Sequence, residues 1–205
     1  MPVSTGMGIV TADIAITLDG FGAAADQSLE HPFGSLDESR LHAWMFEHGD
    51  DNAAEVAAIV DAGAFVMGRN MFDPGRGAPD LTWRGWWGED PPYHAPVFVL
   101  THHERPALPM EGGTTFHFVT DGLDAALSRA REAAGERHVA IAGGASTINA
   151  CLAAGVLDEL RLHVTPYVAG LAAGSRMFDG VGPLGLVPVA TRQTPHVTHL
   201  TYRRA

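Results

Sequence analysis

Short apolar runs alternate with stretches of helical periodicity along most of this chain. The apolar runs predict strands at residues 9–18, 64–67, 96–101, 115–119, 139–142 and 160–164. The helical spacing predicts a short turn at 41–46 and helices at 52–62, at 122–134 and over about ten residues from Ala145. Strands that alternate with helices pair in parallel and are covered on both faces. The pattern therefore predicts an α/β fold around a mostly parallel central sheet.

Long irregular segments and one hairpin complete this picture. Residues 21–40 and 73–92 are rich in turn-forming residues and predict two long loops, which in compact domains are usually functional. Residues 170–185 are rich in glycine. Residues 186–203 alternate polar and apolar positions around Thr194-Pro195 and predict a C-terminal antiparallel hairpin. With no internal repeat and no linker, residues 1–205 are expected to form one domain.

Composition narrows the classes of function. A net charge of −11 argues against a nucleic-acid-binding surface, and no apolar run has the length of a membrane span. All basic residues are arginine, so lysine Schiff-base chemistry and a P-loop lysine are excluded. The single cysteine, Cys151, lies in a predicted helix and fits a reducing compartment. With no signal peptide evident, a cytoplasmic protein is expected, and the scattered histidines predict no metal site.

A diglycine joins a predicted strand to a predicted helix. Gly143-Gly144 follows the strand at 139–142, and Ala145-Ser146-Thr147 opens the helix. Glycines let a ligand approach the backbone closely, and the free N–H groups of a helix's first turn favour an anion such as phosphate. An ordinary tight turn between strand and helix is the alternative interpretation.

Two further strand ends carry similar chemistry. Gly68-Arg69 and Thr101-His102-His103 each follow an apolar strand directly, with Arg105 close by in sequence. Ligands of open parallel sheets bind beyond the carboxyl ends of strands. The G-x-G-x-x-G motif is absent, and the local basic residues favour a dinucleotide with a 2′-phosphate, hence NADPH. Alternatively, the arginines and histidines are solvated surface residues.

The ordered set TADIAITLDGFGA, FVMGRNMFD, VFVLTH and VAIAGGASTINACL…LDELRLHVTP resembles the dihydrofolate-reductase-like superfamily. The resemblance is greater to the branch of the riboflavin-biosynthesis reductase, the C-terminal domain of a bifunctional deaminase/reductase, and its stand-alone relatives. It implies the three-layer fold of that superfamily, NADPH as cofactor and a homodimer. The zinc deaminase signature H-x-E…P-C-x-x-C is absent.

The resemblance also assigns cofactor-binding residues. They fall in four segments: the first strand with the loop that covers the nicotinamide, the phosphate-binding turn, the strand end beside the adenosine ribose, and the pyrophosphate-binding turn. In that order they are Ala15, Ile16, Asp19 and Gly20; Gly68, Arg69, Asn70 and Met71; Leu100, Thr101 and His102; and Gly143, Gly144, Ala145, Ser146 and Thr147. Dihydrofolate reductases carry an acidic residue after the first loop, and Glu47, Asp50 and Glu55 do not align with it. Dihydrofolate is therefore not the expected substrate.

Candidates for the chemistry beside the cofactor are few. Asp13 is an unusual carboxyl on an apolar strand, and burial there would raise its pKa toward that of a proton donor. A buried carboxyl that is merely hydrogen-bonded is the alternative. His31, His42 and Trp44 are candidate substrate contacts, each equally readable as a loop or packing residue. The remaining aromatic residues could stack on a planar heterocycle or fill a dimer interface: Phe46, Trp83, Trp86 and Trp87.

Three hypotheses follow. The first is an NADPH-dependent reductase of a small heterocyclic or carbonyl substrate, such as a riboflavin-pathway aminopyrimidine of the 5-amino-6-(5-phosphoribosylamino)uracil type. The second is a non-catalytic module that binds NADP(H) or another nucleotide. The third is an enzyme that uses the same pocket for non-redox chemistry, which lacks support because no nucleophile motif is present.

Overall fold

The computed structural model describes residues 8–75 and 79–205. Its strands are β1 (Val10–Ile16), β2 (Phe21–Ala24), β3 (Ala64–Gly68), β4 (Pro96–Leu100), β5 (Leu108–Pro109), β6 (Thr115–Val119), β7 (Val139–Gly143), β8 (Glu159–Val164), β9 (Gly174–Arg176), β10 (Leu186–Thr194) and β11 (Val197–Arg204). Its α-helices are α1 (Glu38–Phe46), α2 (Ala53–Val60), α3 (Arg69–Phe72), α4 (Gly122–Ala134) and α5 (Ala145–Ala153), and Gly49–Asn52 and Glu111–Gly113 form 3₁₀ turns.

Nine of these strands form one sheet in the order β10-β11-β8-β1-β7-β3-β4-β6-β5, and β2 and β9 form a separate antiparallel pair. Six neighbouring strands are mutually parallel, in the sheet order β8-β1-β7-β3-β4-β6. The strands β11, β10 and β5 pair antiparallel at the two edges of the sheet. The prediction of a mostly parallel sheet with a C-terminal antiparallel hairpin is therefore confirmed.

Strand alternation divides the core between the two sheet faces. On one face, Val10 and Ala12 of β1 and Ile141 of β7 are fully buried, together with Ile148 and Cys151 of α5 and buried alanines of α4. On the other face, aromatic and aliphatic residues of β3, β4 and β6 form a second cluster. The helix α1 covers β1 on this second face, where Trp44 is completely buried against two histidines of the sheet. Helices thus flank both faces, as the periodicity predicts.

The first predicted loop, residues 21–40, is partly ordered into elements. β2 begins directly after the Asp19-Gly20 turn and pairs with β9, about 150 residues later in the chain. α1 begins earlier than predicted because the Asp37 carboxylate caps it by accepting a hydrogen bond of 3.3 Å from the backbone N–H of Arg40. The prediction of a long loop here is therefore wrong, and the predicted helical turn at 41–46 forms the last six residues of a nine-residue helix.

Candidate active site

Three neighbouring strands in the middle of the sheet are each followed by polar residues at their carboxyl ends. β7, β3 and β4 are adjacent and parallel, with Met67 in register with Gly143 and Gly68 in register with Leu100. The predicted ligand-binding segments after these strands therefore meet at the carboxyl edge, where ligands of parallel sheets bind. The structure brings the three predicted segments together.

The diglycine forms an open bend between β7 and α5. Gly143 has a φ of 119°, which favours glycine, and a cis peptide bond joins it to Gly144. Gly144 caps α5 in an extended conformation, and a methyl group placed on it would meet no atom of the described chain within 4 Å. The first-turn N–H groups of α5, from Ala145 to Thr147, have no acceptors within the helix, apart from a 3.0 Å contact from Thr147 to the Gly144 carbonyl. The backbone N–H groups of Ala145 and Ser146 thus lie next to the open position at Gly144 and have no backbone acceptor in the described chain.

Gly68 is required for the close approach of β3 to α5. A methyl group on Gly68 would lie 2.4 Å from the Thr147 hydroxyl oxygen and 3.4 Å from the Gly143 carbonyl oxygen. A side chain here would therefore displace the Thr147 side chain or move the end of β3 away from α5. This contact explains the glycine before Arg69 by packing as well as by ligand approach.

The basic cluster predicted from sequence forms in part. Arg69, Thr101, His103 and Arg105 line one small cavity at the ends of β3 and β4, whereas His102 is exposed outside it. Arg69 lies 3.9 Å from the Asp73 carboxylate, and its side chain is 24% exposed. The Arg69 side chain is therefore partly exposed, with one carboxylate near its guanidinium.

Arg105 is held by the chain itself. Its guanidinium donates hydrogen bonds to the backbone carbonyls of Leu81 (3.1 Å) and Trp83 (2.5 Å), and it lies over the rings of Phe72 and Phe118. These contacts fasten the tryptophan loop, which we define as residues 79–92, beside the strand ends. Arg105 is therefore more fully engaged by other parts of the chain than Arg69 is.

The three tryptophans of this loop pack within the chain. The Trp83 indole N–H donates to the Phe72 carbonyl (2.7 Å) and the Trp86 indole N–H to the Met71 carbonyl (3.0 Å), at the end of the one-turn helix α3. Trp87 stacks on Phe116 of β6 at 5.7 Å. The loop thus satisfies carbonyl groups that a helix end leaves without partners. Both sequence interpretations of these residues, substrate stacking and a dimer interface, omitted this role.

The other predicted cofactor residues lie around this edge. Ala145 is buried in the first turn of α5, whereas Ser146 and Asn70 are exposed. Met71 lies beside the bend, with its sulfur 3.4 Å from where a methyl group on Gly143 would be. Ala15 and Ile16 end β1, the neighbour of β7.

The Asp19-Gly20 turn is fixed by hydrogen bonds from two parts of the chain. The Asp19 carboxylate accepts from the Thr17 hydroxyl (2.6 Å) and from the backbone N–H groups of Ala169 (3.0 Å) and Gly170 (2.8 Å). Burial would raise the pKa of Asp19, but these hydrogen bonds outweigh it and lower the pKa to about 2. The carboxylate therefore orders the turn and the segment after β8.

Asp19→Asn is expected to destabilise the protein by about 1–2 kcal/mol at neutral pH, because the amide replaces an ionised acceptor of three hydrogen bonds. The folded-state pKa is lowered, so this stabilisation is present above the unfolded pKa and is lost as the pH falls from about 4 toward 2. Urea unfolding of both proteins at several pH values tests this. A stability gap that widens as the pH falls through this range would contradict it.

A cavity of about 250 Å³ lies between α5 and the segment that contains β9. Ser146, Asn149, Ser175 and Arg176 contribute polar groups to it, and the Ser146 and Ser175 hydroxyl oxygens are 3.3 Å apart. Arg176 also donates to the Asp19 carbonyl at 2.9 Å. Sequence reasoning missed Ser175 and Arg176, although an isolated Ser-Arg pair in the glycine-rich segment 170–185 was a visible signal.

The remaining candidates occupy different environments. Asp13 lies on the second face of the sheet, with its side chain 6% exposed and its Oδ2 3.3 Å from the Arg161 guanidinium. Trp44 packs on His163 with 4.6 Å between ring centroids. His42 packs on Phe33, and burial lowers its pKa to about 4, despite a hydrogen bond with the Glu38 backbone that opposes the shift.

His31 lies apart from these groups, exposed in a turn where its carbonyl accepts from the Ser28 N–H. The structure therefore does not gather His31, His42 and Trp44 into one pocket. Their roles as substrate contacts stay predictions.

The fold is that of an α/β protein of the dihydrofolate-reductase-like class. The family follows from comparison with known proteins: the model of the RibD C-terminal domain family matches residues 9–200, so the chain belongs to that family. Comparison with curated protein sequences gave no match.

Solved structures share this fold at low sequence identity. A Shewanella sp. PV-4 protein assigned to riboflavin biosynthesis has a TM-score of 0.65 and 24% identity, over 96% of this chain and 99% of that chain. The Thermotoga maritima diaminohydroxyphosphoribosylaminopyrimidine deaminase/5-amino-6-(5-phosphoribosylamino)uracil reductase has a TM-score of 0.60 and 17% identity, over 97% of this chain but 57% of that chain. An Enterococcus faecalis dihydrofolate reductase, complexed with NADP(H) and RAB-propyl, has a TM-score of 0.51 and 15% identity, over 97% of each chain.

Proposed function

We propose that this protein is an NADPH-dependent reductase of a small heterocyclic or carbonyl substrate. The observation that carries the proposal is the open diglycine bend at Gly143-Gly144, beside Gly68-Arg69 and at the amino end of α5. Membership of the RibD C-terminal domain family supports it, as does the fold shared with a dihydrofolate reductase complexed with NADP(H).

The residues present fit a phosphorylated dinucleotide. Open space above Gly144 would admit a pyrophosphate, which the first-turn N–H groups of α5 would meet. Arg69, on the neighbouring strand end, would meet the 2′-phosphate, and Ser146 and Ser175 would bind ribose or phosphate oxygens. A bound NADPH supplies a hydride, so the chain's own task is to orient the reactants and exclude water.

Arg69→Ala is expected to weaken NADPH binding roughly 10- to 100-fold, because one charge-assisted contact to the 2′-phosphate is lost. NADH binding should change little. Both dissociation constants can be measured by quenching of tryptophan fluorescence. Arg129→Ala is the matched control, since this exposed arginine of α4 pairs with Asp121. Equal losses for the two cofactors would assign Arg69 to the pyrophosphate or to folding.

For the substrate we propose an aminopyrimidine of the riboflavin-pathway type. The support is the family and the uracil reductase activity in the name of the Thermotoga maritima protein. NADPH oxidation with a panel of aminopyrimidines and other heterocycles tests it. Saturable NADPH binding without oxidation of NADPH by any of them would favour the alternative, a non-catalytic nucleotide-binding module.

We also propose a cytoplasmic homodimer. The edge strand β10 is exposed along almost its whole length, with Val187 49% and Val189 46% exposed, and an unpaired edge of this kind favours association. Light scattering after size-exclusion chromatography tests the dimer. No helix in the described part of the chain is long and apolar enough to cross a membrane.

A further inference from the structure

A layer of buried polar side chains lies between the sheet and α1. Strand register places Asp13 of β1 opposite Arg161 of β8, and His163 of β8 opposite both Ala15 of β1 and His199 of β11. The side chains of Asp13 and His163 are 6% and 2% exposed, and His199 is 5% exposed. The proposed cofactor contacts use none of these polar side chains.

Asn52 sets the direction of hydrogen bonding in this layer. Its side-chain Nδ2 donates to the carbonyl oxygens of Trp44 (2.9 Å) and His48 (2.8 Å). Its Oδ1 therefore faces His199 Nε2 at 2.9 Å, since a flipped amide would place Oδ1 against two carbonyl oxygens. It follows that His199 Nε2 carries a hydrogen and donates it.

The tautomer of His199 determines that of His163. Burial, and next the charge of His163, lower the pKa of His199 to about 4, so this ring is neutral near pH 7 and its Nδ1 is an acceptor. His163 Nδ1 lies 2.8 Å from His199 Nδ1 and must therefore donate. A neutral His163 would then have a bare lone pair on Nε2.

That lone pair faces a carboxylate oxygen. His163 Nε2 is 3.5 Å from Asp13 Oδ1, and neither atom has a hydrogen-bond partner among the described residues. Two lone pairs opposed in a buried site repel each other, and one added proton turns the contact into an attraction. We infer that Asp13 and His163 share one extra proton, that is, one more than an ionised carboxylate and a neutral imidazole would carry between them. His199 and Asn52 fix the position of this proton.

The surrounding charges place this proton on His163. The Arg161 guanidinium holds Asp13 Oδ2 at 3.3 Å and so favours the carboxylate, while the Trp44 ring over His163 favours an imidazolium. The other charged or titratable groups around the layer lie at its margins: Glu159 and Arg203 beside Arg161, Glu55 and Arg192 near His199, and His138 near Asp13.

A reduction consumes one proton, and the extra proton of Asp13 and His163 can supply it. This part of the inference rests on the proposed function. The reduced acceptor gains a hydride and needs one proton to form a neutral product. The Nε2–H bond of His163 breaks as the proton passes to the Asp13 carboxylate, an O–H bond of Asp13 breaks as a new bond to hydrogen forms at the acceptor, and solvent then restores the proton. Asp13 lies on β1, two residues before Ala15 and three before the carboxyl end of that strand.

Histidine NMR of the ligand-free protein tests the proton count without cofactor or substrate. Long-range ¹H–¹⁵N spectra from about pH 5 to about pH 8 should show His199 as the neutral Nε2–H tautomer. His163 should carry both protons at the low end and keep Nδ1–H when it loses one. A neutral His163 with Nε2–H, or a His199 with Nδ1–H, would overturn the inference. His163→Gln and His199→Gln assign the signals.

Asp13→Asn tests whether the extra proton depends on the Asp13 carboxylate. The new amide can donate to His163 Nε2, so His163 should stay neutral with Nδ1–H throughout the pH range. Thr11→Val is the matched control on the same face of β1; it removes a buried hydroxyl that has no partner in the described chain, and should leave both histidine spectra unchanged. If Asp13→Asn does not fold, the wild-type spectrum decides the proton count alone.

Kinetics test the role of the proton. Asp13→Asn should lower kcat roughly 100-fold and change its pH profile, while NADPH affinity stays as in the wild type. An unchanged kcat and pH profile would overturn the role as proton donor. A wild-type protein that oxidises no NADPH with any substrate would overturn the proposed function, yet leave the tautomers seen by NMR standing.

Discussion

Gly144→Val is expected to abolish NADPH binding while the protein folds normally. The backbone at Gly144 has φ −74° and ψ −170°, an extended conformation that valine adopts readily. A Cβ at this position would meet no atom of the described chain within 4 Å, and the two methyl groups of valine are expected to fill the space above the first turn of α5. The substitution therefore removes room for a pyrophosphate without disturbing a packed contact.

Two measurements on the same protein check this. Fluorescence titration should show no saturable quenching by NADPH, while the urea midpoint stays at the wild-type value. Gly144→Ala should give a smaller loss of affinity because its methyl group fills less of the space. Gly182→Val is the matched control, since Gly182 also faces open space but lies outside the strand ends. Retained affinity in Gly144→Val would refute the proposed cofactor site.

The strand ends could be predicted because the signals are local. Each apolar run leads directly into its glycine or polar residues, and the parallel order of the sheet brings three such ends together. The pair β2–β9 could not be predicted in this way. Its strands are short, and Phe21 finds its register partner Arg176 in a segment whose composition indicates only a loop.

Long-range hydrogen bonds also explain why Arg69 and Arg105 differ in the structure although the sequence treats them alike. The sequence places Arg69 and Arg105 together as phosphate ligands, and they do line one cavity. However, Arg105 donates to carbonyls of the tryptophan loop, which lies more than twenty residues earlier in the chain. No sequence pattern indicates that pairing, so the two arginines looked equivalent.

The layer of buried polar side chains combines residues that are close together in the sequence with residues that are far apart in it. Glu159, Arg161 and His163 alternate along β8 and so share one face, which the sequence shows directly. His199 and Asn52 complete the layer from β11 and from the turn before α2. Only the assembled sheet reveals that Asp13 has an ionised partner and a histidine beside it.

Trp44→Ala is expected to destabilise the protein by about 3–5 kcal/mol, which is typical of removing a large aromatic side chain from a core. Trp44 is 0% exposed and packs on His163 and His199, at 4.6 and 5.2 Å between ring centroids. Its indole N–H has no partner in the described chain, so Trp44→Phe loses no hydrogen bond and, since it leaves a smaller cavity, should cost clearly less than Trp44→Ala.

Urea unfolding followed by circular dichroism measures both changes, and it separates the two roles open to Trp44. A packing residue gives a large loss of stability in Trp44→Ala, a smaller one in Trp44→Phe, and wild-type NADPH affinity in Trp44→Phe. A residue that mainly stacks on substrate would instead raise KM in Trp44→Ala while stability stays within about 1 kcal/mol of the wild type. Complete burial against two sheet histidines favours the first result, because a substrate could reach this ring only if α1 moved away from the sheet.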